Sequence, residues 1–152
     1  MRRASEIKAA GTWNAASAVD RVVLDAAERH RRRIALTGER GTAFLLDLPH
    51  ATALKDGDGL VLEDGAIVRV AGKAEPLVEI AAQSPHELTR FAWHIGNRHI
   101  EMQVVGERLR IRRDHVLEDM LRRLGARLVC VEAPFDPEPG AYAYGHGEDH
   151  DH

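Results

Sequence analysis

The hydrophobic pattern of the chain changes near residue 73, and this change constrains the fold more than any other feature. Before it, apolar residues come in short runs separated by turn signals. After it, two longer segments repeat apolar residues at the spacing that marks one face of a helix. Such a change of period along the chain indicates a change of architecture. The sequence therefore predicts two domains, and its 152 residues suffice for two small ones.

The first half has the pattern of an all-β domain. Brief apolar runs, partly β-branched or aromatic, occur at residues 22–24, 34–36, 43–46, 60–62 and 67–70. The sequence DGDG at 56–59 is a dense turn signal, and EDGA at 63–66 joins two runs as a hairpin does. We therefore predict a small β-sandwich or barrel over residues 1–73, with residues 26–33 as a charged connection rather than a helix.

The second half contains a helix whose start is well marked. Residues 77–82 look like a strand, and Ser84 then stands at a helix N-cap position. Glu87 can complete a capping box, and Pro85 fits the first helical position. Apolar side chains then recur along one helical face, at residues 88, 91, 92 and 95. Gly96 suits the left-handed turn that ends a helix.

The remaining pattern completes a ferredoxin-like order. Residues 100–105 and 109–112 alternate as strands, Asp114 caps a helix that ends at Gly125, and residues 128–131 form a buried strand. In the split βαβ arrangement both helices cover one face of a four-stranded sheet. The predicted fold class is therefore α+β, with the small β-sandwich or barrel followed by a ferredoxin-like βαββαβ domain over residues 74–136.

His99 is the histidine with two open interpretations. It follows the predicted helix end and stands where a strand is expected to begin, so it is either a satisfied histidine at a strand edge or a metal ligand. Neutral imidazole is the commonest protein ligand for borderline transition metals. One imidazole cannot hold a metal tightly, however. The ligand interpretation therefore requires a second copy of the chain, with two His99 side chains meeting on a two-fold axis.

Three further histidines lie in residues 137–152, which are rich in Pro, Gly and acidic residues and are predicted to form a disordered tail. They are His146, His150 and His152. The tail is either a solvated segment without function or a weak, multidentate metal ligand. His115, at the start of the second helix, is either a capping or surface residue or a ligand. The residues alone indicate no more than an imidazole-bound divalent transition metal.

Composition and charge disfavour several classes of protein. The net charge of −3 argues against generic attraction to nucleic acid. No apolar run approaches the roughly 18 residues needed to span a membrane, and none of signal-peptide length follows Met1. The single cysteine, Cys130, excludes an internal disulfide and a thiolate cluster within one chain. We therefore expect a cytoplasmic protein.

Two alternative functions find little support in the residues. A metal-dependent hydrolase needs an open-coordinated metal and a carboxylate base, and no His-Glu-x-x-His pattern occurs. An RNA-binding ferredoxin-like sheet needs aromatic residues on its strands, and residues 100–105 and 109–112 have none. A zinc or copper buffer with the same fold stays open.

Several stretches resemble the urease accessory metallochaperone family UreE. They are WHIGNRH at 93–99, DHVLEDMLRRLG at 114–125 and LKDGDGL at 54–60, and the histidine-ended tail is similar as well. The resemblance covers essentially the whole chain. It implies an N-terminal peptide-binding domain, a C-terminal metal-binding domain and a homodimer. It also implies delivery of Ni²⁺ to the apo-urease maturation complex together with the accessory GTPase UreG.

The resemblance also implies roles for particular residues. His99 matches the family's interfacial nickel ligand, and the three tail histidines match its variable histidine-bearing C-terminus. His115 matches a secondary ligand of some members, but Arg113 stands where those members have a second histidine, which disfavours a separate peripheral site. We therefore expect a nickel carrier and not an enzyme, with Zn²⁺ or Cu²⁺ as other ions it can bind in vitro. The alternative is a general zinc or copper buffer, or a partner-binding module without specific nickel delivery.

Overall fold

The computed structural model describes residues 1–140. They divide into two compact units: the first is Met1–Lys73, and the second begins at Ala74. Within the described residues, no helix is both long and apolar enough to cross a membrane. His146, His150 and His152 lie outside the described residues.

The first unit is a single curled sheet that forms a β half-barrel. Its elements are β1 (Arg2–Lys8), a 3₁₀ turn (Ala15–Ser17), β2 (Asp20–Leu24), β3 (His30–Thr37), β4 (Ala43–Ala53), β5 (Gly59–Leu62) and β6 (Ile67–Gly72). The strand order is β2-β6-β5-β1-β4-β3. β1 pairs with β4 and β2 with β6 in parallel, and the other pairs are antiparallel. The prediction of a small all-β domain is confirmed, including the hairpin between β5 and β6.

Two parts of this sheet were not expected. Residues 30–33, predicted as a charged connection, belong to β3, where His30 pairs with Ala53. β3 is an edge strand whose side chains at 30–33 are exposed, so it needs no apolar alternation there. β1 buries only Ala4 fully, which leaves too weak an apolar signal to detect, and pairing with β4 and β5 on its two sides holds it as a strand.

The DGDG sequence is a turn that ties three parts of the half-barrel together. The buried Asp58 carboxylate accepts hydrogen bonds from the backbone N–H groups of Ala10 at 2.9 Å and Lys55 at 2.8 Å. The indole N–H of Trp13 donates to the carbonyl of Gly57 at 3.2 Å. A Cβ at Gly59 would lie 2.8 Å from Cε2 of Trp13. This stretch, which resembles the family, therefore has a structural role.

Asp20 closes the turn between β3 and β4. Its carboxylate is buried and accepts hydrogen bonds from the backbone N–H groups of Arg21 at 2.6 Å, Arg40 at 2.9 Å and Thr42 at 3.0 Å. Burial alone raises the pKa of this carboxyl, but the hydrogen bonds outweigh burial and lower the pKa from 3.8 to about 2. Gly38 passes so close that a Cβ there would collide with the carboxylate.

The second unit has the ferredoxin-like order that the sequence predicts. Its elements are β7 (Glu75–Ala81), α1 (Pro85–Asn97), β8 (Gln103–Val105), β9 (Arg108–Arg112), α2 (His115–Arg123) and β10 (Arg127–Ala133). The sheet is antiparallel with the order β10-β7-β9-β8, so β10 and β8 are its two edges. Its core joins the two helices to β7 and β9 through Val78, Ile80, Phe91, Ile95, Leu109, Ile111, Leu117 and Leu121.

Both helices begin at the predicted caps, although the Glu87 carboxylate bonds the N–H of Gln83 rather than that of Ser84, as a capping box would require. The Ser84 hydroxyl accepts from the backbone N–H of Glu87 at 3.1 Å, and the Glu87 carboxylate reaches back to the N–H of Gln83 at 3.1 Å. The Asp114 carboxylate accepts from the N–H of Leu117 at 3.0 Å. These caps satisfy N–H groups that have no partner inside the helix. The C-terminal end of α2 at Gly125 also agrees with the prediction, whereas that of α1 does not.

Candidate metal-binding site

The end of α1 lies beyond the residue that the sequence indicated. We predicted that Gly96 would take the left-handed conformation, and this prediction is wrong. The helix continues through Asn97, Arg98 caps it, and His99 has the positive φ, at 58°. Within residues 1–140, His99 is the one non-glycine residue with positive φ.

The hydrogen bonds explain why the left-handed position falls on His99. Its backbone N–H donates to the carbonyl of Gly96 at 3.0 Å, and that of Ile100 donates to the carbonyl of Ile95 at 3.4 Å. These two bonds define a Schellman motif, whose left-handed residue lies one place beyond the cap. The motif turns the chain so that Ile100 packs against the same core as Ile95.

The same motif ends α2, where glycine holds the equivalent place. Gly125 has φ of 99°, its N–H donates to Arg122 at 3.0 Å, and the N–H of Ala126 donates to Leu121 at 3.0 Å. A left-handed conformation is strained for residues with a Cβ, although histidine adopts it more often than most. Such strain clusters at functional sites. His99 therefore stands out as a functional candidate on backbone geometry alone.

The surroundings of His99 also differ from the prediction. β8 begins at Gln103 rather than at Ile100, so His99 lies in a turn and not at a strand edge. The residue is exposed, and its side chain forms no hydrogen bond with any of the described residues. Within residues 1–140, His99 is therefore not a strand-edge histidine whose side-chain hydrogen bonds are satisfied, and that interpretation is wrong. The imidazole is accessible to an outside group.

Arg113 and Glu118 form a fixed ion pair next to His115. Nε of Arg113 lies 3.0 Å from Oε2 of Glu118, whose side chain is 2% exposed and also accepts from the N–H of Asp114 at 2.8 Å. The hydrogen bond from Arg113 lowers the pKa of the Glu118 carboxyl, and it outweighs the opposing effect of burial. Both side chains are thus already paired, and His115 is exposed at the first position of α2.

The described part of one chain does not gather a metal shell. Among residues 1–140, no three side chains of His, Cys, Asp or Glu lie close enough together to hold an ion. Neither His99 nor His115 therefore belongs to a group of three metal-ligating side chains within these residues. A shell around His99 needs groups from outside these residues, either from a second chain or from residues 141–152.

Apolar side chains stand exposed on the same two helices. Trp93 on α1 is 62% exposed, and Val116 on α2 is 70% exposed. Val116 also borders a shallow depression between the end of α1 and α2, which is lined further by Arg98, Asp119, Met120, Arg123 and Leu124. Val116 and the apolar side chains of this depression therefore form a candidate surface for a protein contact.

The chain after β10 crosses the sheet toward β8. We call residues 134–138 the strap. Phe135 is fully buried, and the Arg112 guanidinium lies 4.6 Å from the centre of its ring. The N–H of Asp136 donates to the Gln103 side-chain oxygen at 3.1 Å, and that of Glu138 donates to the Met102 carbonyl at 2.7 Å. The strap therefore runs from one sheet edge to the other.

We did not foresee the strap or the role of Glu118. A usable signal existed for the strap, since Phe135 is one of only three phenylalanines and follows Pro134 in a stretch that reads as a connection. A large aromatic residue in such a place indicates an anchored segment. Glu118 gave no signal, because an acidic residue in the first turn of a helix is usually solvated.

The fold and the site together define a class of two-domain protein, in which a β half-barrel precedes a ferredoxin-like domain with an exposed histidine at a helix end. The N-terminal domain model of the UreE urease accessory protein matches residues 2–72, and the C-terminal domain model matches residues 75–152. The chain belongs to the UreE urease accessory protein family.

Individual relatives agree with the family models. A urease accessory protein UreE of Bradyrhizobium sp. strain BTAi1 is 57% identical over 152 residues, covering 99% of this chain and 73% of the relative. One from Rhodopseudomonas palustris strain BisB18 is 57% identical over 152 residues, covering 100% and 72%. One from Rhodobacter capsulatus is 45% identical over 152 residues, covering 100% and 94%. The family therefore extends over both domains.

Proposed function

We propose that this protein is a nickel carrier that delivers Ni²⁺ for urease maturation. In this proposal one His99 from each of two chains holds the ion on a two-fold axis, and His146, His150 and His152 assist. Membership of a family associated with nickel handling supports the choice of cargo. The observation that carries the site is His99 itself, which is exposed and held in a strained left-handed conformation.

A homodimer would supply the second imidazole that the ligand set requires. One exposed imidazole binds a divalent ion weakly, whereas two on a symmetry axis supply two strong donors without any other change to the chain. The exposed Trp93 and Val116 support such a contact, because burying apolar side chains drives association. His115 enters as an auxiliary ligand only, since the Arg113–Glu118 ion pair provides no second imidazole beside it.

The tail is proposed to supply further imidazoles. The strap places Glu138 against Met102, which is three residues beyond His99. His146 lies eight positions after Glu138, and a chain of this length can extend about 27 Å at ~3.4 Å per residue. Each of the three tail histidines can therefore reach His99 of its own chain.

A shell with two kinds of ligand suits a carrier rather than an enzyme. If the tail imidazoles leave, the ligand count falls while the His99 pair keeps its place, so a recipient can take the ion stepwise. We propose the accessory GTPase UreG and the apo-urease maturation complex as recipients in the cytoplasm. The alternative is a general zinc or copper buffer, because imidazole also suits those ions.

Equilibrium dialysis with Ni²⁺ tests the shared site. We expect His99→Ala to remove the tightest nickel binding, whereas His86→Ala should not, since His86 is an exposed histidine at the opposite end of α1. Replacing the three tail histidines by alanine should weaken binding and leave the dimer intact. Unchanged nickel affinity and stoichiometry in His99→Ala would defeat the shared-site proposal.

A further inference from the structure

The strap crosses the face of the sheet that is turned away from the helices. Ile111 on β9 belongs to the core beneath the helices, so the neighbouring Arg112 faces the other side, where its guanidinium covers Phe135. β10 and β8 are opposite edges of four strands, separated by three spacings of ~4.8 Å, or about 14 Å. Because the strap spans this distance, the segment that follows Glu138 begins at the β8 edge of the sheet rather than at the β10 edge.

Arg112 connects the strap with the segment that follows His99. Its Nη1 lies 2.6 Å from Oε1 of Glu101, and its Nε lies 2.8 Å from Oε1 of Glu75 on β7. These two hydrogen bonds raise the pKa of the Arg112 guanidinium, so it stays charged. The Arg112 guanidinium thus contacts both the ring of Phe135 in the strap and the carboxylate of Glu101, which is two residues from His99.

Two hydrogen bonds to β8 and the residue before it fix the far end of the strap. The Gln103 side-chain oxygen accepts from the N–H of Asp136, and the Met102 carbonyl accepts from the N–H of Glu138. The first bond depends on a side chain and the second on the backbone alone. Gln103 is therefore the anchor that a substitution can remove without altering the strap itself.

We propose that Gln103 and Phe135 are positioning residues for metal binding, because the strap they anchor starts the tail at Met102, three residues from His99. This inference rests on the proposed function, in which tail imidazoles join His99 around the ion. A ligand tethered close to its site has a higher effective concentration than one tethered further away. Loss of an anchor should reduce the contribution of the tail to nickel affinity, although no metal ligand is changed.

The test measures Ni²⁺ affinity of the full-length chain by competition with a chelator, in two backgrounds. The first keeps the tail histidines, and the second replaces His146, His150 and His152 by alanine. We expect Gln103→Leu to weaken nickel binding by about threefold to tenfold in the first background and to have no effect in the second. Gln83→Leu, an exposed glutamine of the same domain, is the control and should have no effect in either.

Phe135→Leu is the second anchor variant, since it keeps an apolar side chain in the buried position and removes the ring beneath Arg112. A merely structural loss would weaken binding equally in both backgrounds, and that result would overturn the inference. So would unchanged affinity of both anchor variants when the tail histidines are present. If His99→Ala or the triple tail replacement leaves nickel affinity unchanged, the proposed function fails as well. If these weaken binding and the anchor variants do not, only the strap inference fails.

Discussion

His99 and Gly125 occupy the same position of the same helix-ending motif, one residue beyond the cap, with φ of 58° and 99°. Gly125 therefore serves as an internal comparison for the free-energy cost of a histidine at that position. Glycine adopts a left-handed conformation freely, and histidine does not. This contrast separates the requirements of folding from those of the proposed metal site.

His99→Gly should make the protein more stable and remove its nickel binding. Relief of the left-handed strain, offset by the greater freedom of glycine in the unfolded chain, should raise the free energy of unfolding by about 0.5–1 kcal/mol. Urea denaturation measures the change. Gly125→Ala is the matched control and should lower the free energy of unfolding by about 1 kcal/mol. A less stable His99→Gly variant would contradict the assignment of strain.

Breaking the Arg113–Glu118 pair should lower stability without altering nickel binding. Glu118→Ala leaves the N–H of Asp114 and the Arg113 guanidinium without their buried acceptor, at a cost of about 2 kcal/mol. Asp119→Ala, at the neighbouring position with a 67% exposed side chain, should change stability by less than about 0.5 kcal/mol. Thermal unfolding compares the stability of the two variants. Equal losses of stability would show that the buried ion pair contributes no more than an exposed side chain does.

Val116→Glu should convert the proposed homodimer to a monomer. A carboxylate in place of a 70% exposed valine adds a charge that association would have to bury. Light scattering after size exclusion gives the mass, and nickel affinity should fall together with it. The control is Val129→Glu, because Val129 is 55% exposed and lies opposite Glu79 on the other face of the sheet. A dimeric Val116→Glu variant would place the contact elsewhere.

Asp20 should make the half-barrel sensitive to acid. Its folded pKa of about 2 lies below the ordinary value of 3.8, so its contribution is fully present above about pH 4 and is lost as the pH falls through 2. The size is on the order of 2 kcal/mol. Asp20→Asn should flatten this part of the stability profile in urea titrations between pH 5 and 2.5. Glu6→Gln, an exposed acid on β1, should leave the profile unchanged.

Much of the fold could be predicted because each helix start carries its own local chemistry. Ser84 and Asp114 cap their helices as the sequence indicates, and the period change near residue 73 matches the division into two units. β1 was missed, because its strand conformation comes from partners distant in sequence rather than from its own residues. Tertiary pairing overrides weak local preference.

The candidate site was only partly predictable for a related reason. His99 was recognisable from its type and neighbours, but its conformation depends on which residue returns to the core. That residue is Ile100, so the left-handed position falls on His99 and not on Gly96. The buried ring of Phe135 likewise depends on Arg112, which is distant in sequence. Contacts of this kind have no periodic signal to reveal them.

The strap also decides where a foreign segment can be joined to this domain. A chimera joined directly after Ala133 would begin its new segment at the β10 edge and discard the Phe135, Asp136 and Glu138 contacts. A junction after Glu138 keeps them. For exchanging C-terminal segments among relatives, a junction after Glu138, five residues past β10, therefore retains every strap contact.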